Sequence, residues 1–200
     1  MSTLRSVAIL FADRNSIYKT LPGCDVYDID RDARTFPGGM PVVAYPPCRT
    51  WGKLACRAKA PLDEHGLALW AIETTRRNGG VVEHPATSRL WCESGIPWLG
   101  ERDKWGGYAF PLLQWWFGHL AEKATRVYVV GVEPKDLPRF QLRIGEPSHV
   151  VSSGYSHGGS RGHGHRSDKP EVNKRERSAT PPAFAEWLVE VARRCHVTAP

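Results

Sequence analysis

Short apolar segments of strand length, separated by a helical pattern, constrain most strongly how this chain can fold. The clearest strand candidates are residues 6–12, 25–29, 41–45 and 126–132. Residues 62–78 carry apolar side chains at helical spacing, Gly79 and Gly80 then close this helix, and the short apolar pair Val81-Val82 follows. A strand, a helix and another strand in this succession predict a right-handed crossover between parallel strands. We therefore expect an α/β fold with a mostly parallel sheet flanked by helices.

The chain has the length of one ordinary domain, and we expect residues 1–200 to form a single unit. Residues 153–170 are rich in Gly, Ser, His and charge and contain no apolar anchor, which predicts a flexible loop. A helix at residues 182–195 follows this segment, with Pro near its start and two arginines in its last turn. The loop is therefore interpreted as part of the domain.

Composition excludes several classes of protein. A hydrophobic fraction of 41% with 24% charged residues is too apolar for a wholly disordered chain. No apolar run reaches the roughly 18 residues of a membrane span, so we expect no membrane partner. The first apolar run leads directly into Asp13 and Arg14 without a small-residue cleavage site, which favours a core strand over a signal peptide. Five scattered cysteines do not predict a disulfide framework, and we expect a reducing, cytoplasmic location.

Charge and aromatic content are compatible with a nucleic-acid partner without requiring one. Lys and Arg number 27 against 21 acidic residues, giving a net charge of +6. The basic residues are concentrated in residues 49–59 and 161–177. Eight tryptophans serve either as packing side chains or as platforms on which bases stack. Both alternatives, a solvated basic surface and a polyanion-binding one, remain open at this point.

Three polar clusters fall at the predicted ends of strands, where α/β proteins place their ligand sites. They are Pro46-Pro47-Cys48-Arg49, Glu83-His84-Pro85 and Asp28-Ile29-Asp30. The two prolines stiffen the exit from the strand and hold the Cys48 thiol in a fixed loop. Arg49 and Lys53 are expected to lower the pKa of this thiol and favour the thiolate. The alternative is a buried, inert cysteine.

Glu83 ends the next predicted strand, beside a segment rich in tryptophan. A carboxyl group at a strand end near an apolar pocket can remain protonated and act as a proton donor. The alternative is a solvated loop acid. The three loop histidines at residues 157, 163 and 165 have no cysteine close to them in sequence, and we expect no metal site.

These residues resemble a known family. Pro46-Pro47-Cys48 resembles the Pro-Cys nucleophile loop of DNA (cytosine-5) methyltransferases, and Glu83-His84-Pro85 resembles their Glu-Asn-Val or Glu-Asn-Pro loop, in the same order and at similar spacing. Weaker similarities cover most of the chain in the family's order. They comprise residues 9–30 for the cofactor loop, 117–126 for an aromatic-glycine pair followed by basic residues, and 178–187 for the carboxyl-terminal segment.

The resemblance implies a Rossmann-like methyltransferase-type domain and a base-modifying enzyme. In this family the cysteine adds to C6 of a flipped-out cytosine while the glutamate contacts N3, and C5 then accepts a methyl group from S-adenosylmethionine. Transferred to this sequence, the catalytic residues would be Cys48, Glu83 and Arg126.

The resemblance also implies binding residues and partners. The S-adenosylmethionine site would include Phe11, Asp28, Asp30 and Pro46. The substrate, DNA or a pyrimidine nucleotide, would be held by Arg49, Trp51, His84 and Lys123. Apart from the resemblance, the tryptophan content leads us to expect the Trp51 and Trp91 regions to stack on exposed bases of a single strand.

Three departures from the family pattern keep further interpretations open. Residues 11–16 lack the glycines that allow close approach of a cofactor, His84 stands where the family has asparagine, and no separate target-recognition region follows Arg126. The chain would then be a compact, divergent relative similar to accessory modification proteins of phages. It would modify a base without S-adenosylmethionine, or be a degenerate relative that binds nucleic acid or a nucleotide.

Overall fold

The computed structural model describes residues 4–52, 55–151 and 168–196. The strands are β1 (Val7–Leu10), β2 (Cys24–Tyr27), β3 (Val42–Ala44), β4 (Gly80–Pro85), β5 (Tyr108–Leu113) and β6 (Ala124–Val130). The α-helices are α1 (Glu64–Asn78), α2 (Leu90–Glu93), α3 (Lys174–Ser178) and α4 (Pro182–Arg194). The predicted α/β class is confirmed, and α1 and α4 lie within two residues of their expected bounds.

All six strands form one sheet in the order β2-β1-β3-β4-β6-β5. Pairings among β2, β1, β3 and β4 are parallel, whereas β6 is antiparallel to both β4 and β5. The sheet is therefore mixed, and the prediction of a mostly parallel sheet was wrong. The chain between β5 and β6 is too short for the crossover that parallel strands need, so the two strands form an antiparallel pair.

Strand alternation divides the buried residues between two faces of the sheet. Ile9, Val43 and Val81 pack on the same face as α4, to which that helix contributes Phe184 and Leu188. The opposite face of the sheet is covered by α1. The strand residues on that face are adjacent in sequence to those on the first face, and they include Leu10, Val42, Val82 and Tyr128. Successive strand residues therefore point to opposite helical layers.

Several other expectations can be compared with the structure. Most of the predicted flexible loop at residues 153–170 lies outside the described residues. All five cysteines are free thiols. No helix in the described ranges has the length and apolarity to cross a membrane.

Candidate active site

The sheet order reverses between β1 and β3, which are neighbours although β2 lies between them in sequence. Such a switch point opens a crevice beyond the carboxyl ends of the two strands, where α/β proteins bind ligands. Phe11 follows β1 at this edge, and the segment from Tyr45 to Cys48 follows β3. The expected site and the topological crevice therefore lie at the same edge of the sheet.

Cys48 follows β3, and Glu83 lies in the neighbouring parallel strand β4. Ala44 pairs with Val82, so Glu83 is the next residue of β4 and Cys48 lies four residues beyond the end of β3. The charge of Glu83 is close enough to raise the pKa of the Cys48 thiol, and the charge of Lys123 lowers it. Cys48, Glu83 and Lys123 therefore form one electrostatic cluster, and we call its first two members the Cys48–Glu83 pair.

Glu83 is a buried carboxyl group whose two oxygens differ in their surroundings. Its Oε1 accepts a hydrogen bond from Gln114 Nε2 at 3.0 Å and another from the Thr125 hydroxyl. Among the described residues, no hydrogen bond ends on Oε2. Burial raises the pKa of Glu83, and the Lys123 charge and the two hydrogen bonds oppose the rise. The group is suited to holding a proton on Oε2 and presenting it to a ligand.

The Cys48 side chain is exposed in its stiff loop, but its electrostatic setting differs from the one expected. The pKa of the thiol is raised, first by partial desolvation and then by the Glu83 charge. The prediction that Arg49 lowers this pKa was wrong because the Arg49 guanidinium is paired with the buried Glu64 carboxylate. Lys53 lies outside the described residues.

This arrangement predicts the effect of charge removal on thiol reactivity. Because only the thiolate is nucleophilic, Glu83→Gln should accelerate alkylation of Cys48 by iodoacetamide near pH 8, and Lys123→Met should slow it. The rate can be followed by peptide mass spectrometry, with the exposed thiols of Cys56 and Cys92 as internal controls. Equal Cys48 rates in all three proteins would show that the charges do not act on the thiol.

Lys123 connects the cluster to the carboxyl-terminal part of the chain. Its Nζ donates a hydrogen bond to the Ala179 carbonyl at 2.9 Å, just before α4. Burial lowers the pKa of Lys123, while the charges of Glu83 and Cys48 raise it. Lys123 has a left-handed backbone conformation with φ of 39°, which an L-residue adopts at a cost. The Lys123 ammonium group therefore lies beside two groups that can become anionic, the Glu83 carboxyl and the Cys48 thiol.

Arg126 lies apart from this cluster. Thr125 bonds to Glu83 on the face that α4 covers, so Arg126, the next residue of β6, points to the face covered by α1. There its guanidinium donates to the Pro97 carbonyl and lies beside the Trp91 and Trp98 rings. The structure therefore does not bring Arg126 to Glu83 as the predicted catalytic set requires.

His84 shares the Arg126 face and is 1% exposed. Neither ring nitrogen has a hydrogen-bond partner within the described part of the chain, and the ring meets Trp91 edge-on. Burial lowers the pKa of His84 to about 4, and the Pro47 backbone opposes this only in part. His84 is therefore neutral near pH 7 and buried beside the Pro47 backbone, so its predicted direct contact with substrate is not supported.

The lowered pKa of His84 predicts a loss of stability in acid. The unfolded chain takes up a proton near pH 6.5, whereas the folded chain does so only near pH 4. His84 therefore removes about 3 kcal/mol of unfolding free energy as pH falls through this interval. Urea unfolding of the wild type and of His84→Phe, compared between about pH 7 and about pH 4, isolates this contribution. Parallel pH profiles would contradict it.

Trp51 and Trp91 are not stacking platforms. Trp51 is fully buried with its ring stacked on His65 at 3.8 Å, and Trp91 is 3% exposed. The prediction that these rings contact bases was wrong, because both rings are buried in the apolar layer on the side of the sheet that α1 covers. The exposed indoles are those of Trp98 and Trp105, at 69% and 40% exposure.

The residues expected to bind S-adenosylmethionine do not fit that group. Asp28 accepts from Lys19 Nζ on one oxygen and from the Asp30 backbone on the other, and Asp30 is held by both nitrogens of the Arg14 fork. Phe11 has φ of 63° and packs edge-on against Trp70, and Pro46 is buried. Neither carboxylate is free of an intramolecular partner, and no glycine opens the loop after β1 for a cofactor.

Sequence reasoning missed the two donors to Glu83. Gln114 lies between β5 and β6 and Thr125 lies in β6, both more than 30 residues from Glu83 in sequence. The one available signal was a lone amide in the apolar segment Leu112-Leu113-Gln114-Trp115-Trp116. A buried amide in such a segment needs a polar partner.

An open pocket of about 420 Å³ lies elsewhere, near the start of β5, with Tyr108, Phe110 and Leu137 in its lining. It includes neither Cys48 nor Glu83. The candidate active site is therefore defined by strand ends and electrostatics and not by this cavity.

Comparison with known proteins found no matching family model, curated protein or solved structure. The function is therefore inferred from the chemistry of Cys48, Glu83 and Lys123 at the carboxyl edge of the sheet.

Proposed function

We propose that this chain is an enzyme that modifies a pyrimidine base through covalent addition of the Cys48 thiolate. The observation that carries the proposal is the asymmetry of Glu83, which accepts both of its hydrogen bonds on Oε1 and leaves Oε2 for a ligand. The neighbouring strand supplies a cysteine in a proline-stiffened loop. An acid and a nucleophile at adjacent strand ends are the two groups that this addition needs.

The proton balance of the free enzyme follows from the three charges. Glu83 raises the pKa of Cys48, so a thiolate and a carboxylate together are unfavourable. Lys123 stabilises one negative charge on the pair. Passage of the thiol proton to the Glu83 carboxylate then yields the thiolate and the protonated acid together, with no change in total charge.

The addition step uses both products of that transfer. The Cys48 thiolate forms a bond to C6 of cytosine, the C5–C6 double bond opens, and N3 accepts the proton from Glu83 Oε2. The resulting enamine is neutral and nucleophilic at C5. C5 then takes a proton from water, and the hydroxide that remains removes the original C5 hydrogen as a proton. Elimination of the thiolate restores cytosine, and N3 returns its proton to Glu83.

A carbon electrophile at C5 would replace the hydrogen permanently. The resemblance to DNA (cytosine-5) methyltransferases suggests a methyl group from S-adenosylmethionine, and the crevice between β1 and β3 agrees with a Rossmann-like sheet. The engaged carboxylates of Asp28 and Asp30 favour the second candidate, in which the same addition proceeds without that cofactor. Both candidates share the covalent step at Cys48.

A covalent trap tests the addition in its methyl-transferring form. Oligonucleotides with 5-fluorocytosine should form a denaturation-stable adduct once C5 has gained a methyl group, because the fluorine cannot leave C5 as a cation. A proton gained at C5 can leave again, so without a methyl donor the adduct reverses. We expect the adduct with the wild type and with Cys92→Ser, an exposed-thiol control, and its loss with Cys48→Ser. Formation only with added S-adenosylmethionine would support methyl transfer. Failure of any adduct to form under both conditions would contradict methyl transfer through Cys48, and exchange of the cytosine C5 hydrogen then decides whether the addition itself occurs.

A further inference from the structure

Arg126 is a buried cation that has no acidic partner among the described residues. Arg126 is 8% exposed, and no salt bridge to its guanidinium exists in the described part of the chain. One terminal nitrogen donates to the Pro97 carbonyl, and neither of the other two guanidinium nitrogens makes a hydrogen bond to a described residue. The two nitrogens without a described partner keep some contact with solvent, so they are open to donate to an anion.

Two indole rings flank this guanidinium. The buried Trp91 ring lies 5.2 Å from it and the Trp98 ring lies 5.3 Å from it, both within cation–π range. Trp98 is 69% exposed, so part of its ring remains open to solvent. The Trp98 ring is therefore an exposed aromatic surface beside the Arg126 cation. Grooves that bind single-stranded nucleic acid combine these two features.

The position of Arg126 relates this feature to Glu83. Arg126 pairs directly with His84 across β4 and β6, and Glu83 is the preceding residue of β4. Side chains of directly opposed strand residues begin about 5 Å apart. The guanidinium therefore lies at the same sheet edge as the Cys48–Glu83 pair but on the opposite face of the sheet, so a strand that passes over this edge would bring the unit next to the reacting base to it.

We propose that Trp98 and Arg126 bind the nucleotide that flanks the reactive pyrimidine in a single-stranded polynucleotide. The flanking base stacks on Trp98, and Arg126 donates to its phosphate through the unused nitrogens. Duplex bases offer no free face for such stacking, and a free mononucleotide has no flanking unit. The assignment of the reacting base rests on the proposed function, whereas binding at this subsite can be measured separately.

Binding is measured with Cys48→Ser as the background, so that no covalent step contributes. The probes are a fluorescein-labelled single-stranded oligocytidylate, a labelled hairpin duplex and free dCMP. We expect the single strand to bind most tightly. Trp98→Ala should weaken its binding at least about 5-fold, since one base–aromatic stack is lost. Trp105→Ala, which removes the other strongly exposed indole, should have no such effect.

Arg126 is tested through the dependence of affinity on salt. Arg126→Met should reduce the slope of log K against log salt by about 0.7, as expected for one phosphate contact to a single strand, and Arg126→Lys should retain the slope. Circular dichroism shows whether each variant is folded, and Trp98→Ala provides an independent test if Arg126→Met is not. Unchanged affinity in Trp98→Ala, equal binding of dCMP, or no binding of the single strand would each overturn the proposal.

The two proposals fail in different ways. Formation of the 5-fluorocytosine adduct by wild type and Trp98→Ala at equal rates under subsaturating oligonucleotide would overturn the flanking subsite and leave the covalent function intact. Trp98-dependent binding with neither an adduct nor exchange of the cytosine C5 hydrogen would overturn the covalent function and support the subsite.

Discussion

Glu83→Gln is expected to slow exchange of the cytosine C5 hydrogen with solvent by about 100- to 10,000-fold, the range for loss of a positioned general acid. The substituted amide retains an oxygen that can accept from Gln114 and Thr125, so the loop geometry is preserved. It cannot give a proton to N3, however, and the enamine no longer forms readily. The exchange rate is measured by mass spectrometry of an oligonucleotide incubated in heavy water.

Glu186→Gln provides the matched control, because this carboxylate is exposed on α4. Its exchange rate should equal that of the wild type. The two substitutions make the same chemical change, so a difference between them locates the effect at the site. Exchange by Glu83→Gln at the wild-type rate would show that Glu83 is not the proton donor.

Gly80→Ala is expected to have the largest effect on stability. Gly80 begins β4 with φ of 129°, and a Cβ there would lie 2.0 Å from the Val42 carbonyl oxygen and 2.6 Å from the Val42 nitrogen. Both contacts are with the backbone of β3, so relief requires separating β3 from β4. We expect a loss of at least about 4 kcal/mol of unfolding free energy in urea, in the range of severe single substitutions.

Gly106→Ala separates backbone strain from the clash. Gly106 also has a positive φ, of 72°, but no atom lies within 4 Å of an added Cβ. Strain alone should cost about 1–2 kcal/mol there. If both substitutions cost the same, the close approach of β4 to β3 does not determine the stability of this pairing.

The sequence identified the elements whose pattern is local. The periodicity of α1 and α4 and the apolar segments of β1, β3 and β6 each lie within one short window of sequence. The direction of β6 depends on β5, which was missed because its six residues include Pro111. Proline is tolerated there because β5 is an edge strand, a property that only the assembled sheet defines.

The candidate site was predictable to a similar extent. Cys48 and Glu83 could be found because strand ends are visible in sequence, and parallel neighbours place them at one edge. The donors to Glu83, the pairing of Arg49 with Glu64 and the burial of Trp51 all depend on distant contacts. The pKa of Cys48 is also raised and not lowered, first because burial desolvates the thiol and then because the Glu83 charge lies near it, and both effects arise only in the folded chain.

Exchange at C5 by the wild type and by Cys48→Ser tests the central proposal most directly, because it requires the covalent enamine but no methyl donor. We predict that a single-stranded oligonucleotide in heavy water gains deuterium at cytosine C5 with the wild type and not with Cys48→Ser. Exchange at the same rate in both proteins, or no exchange above the uncatalysed rate by wild type that binds the oligonucleotide, would contradict the proposal that Cys48 adds to the base.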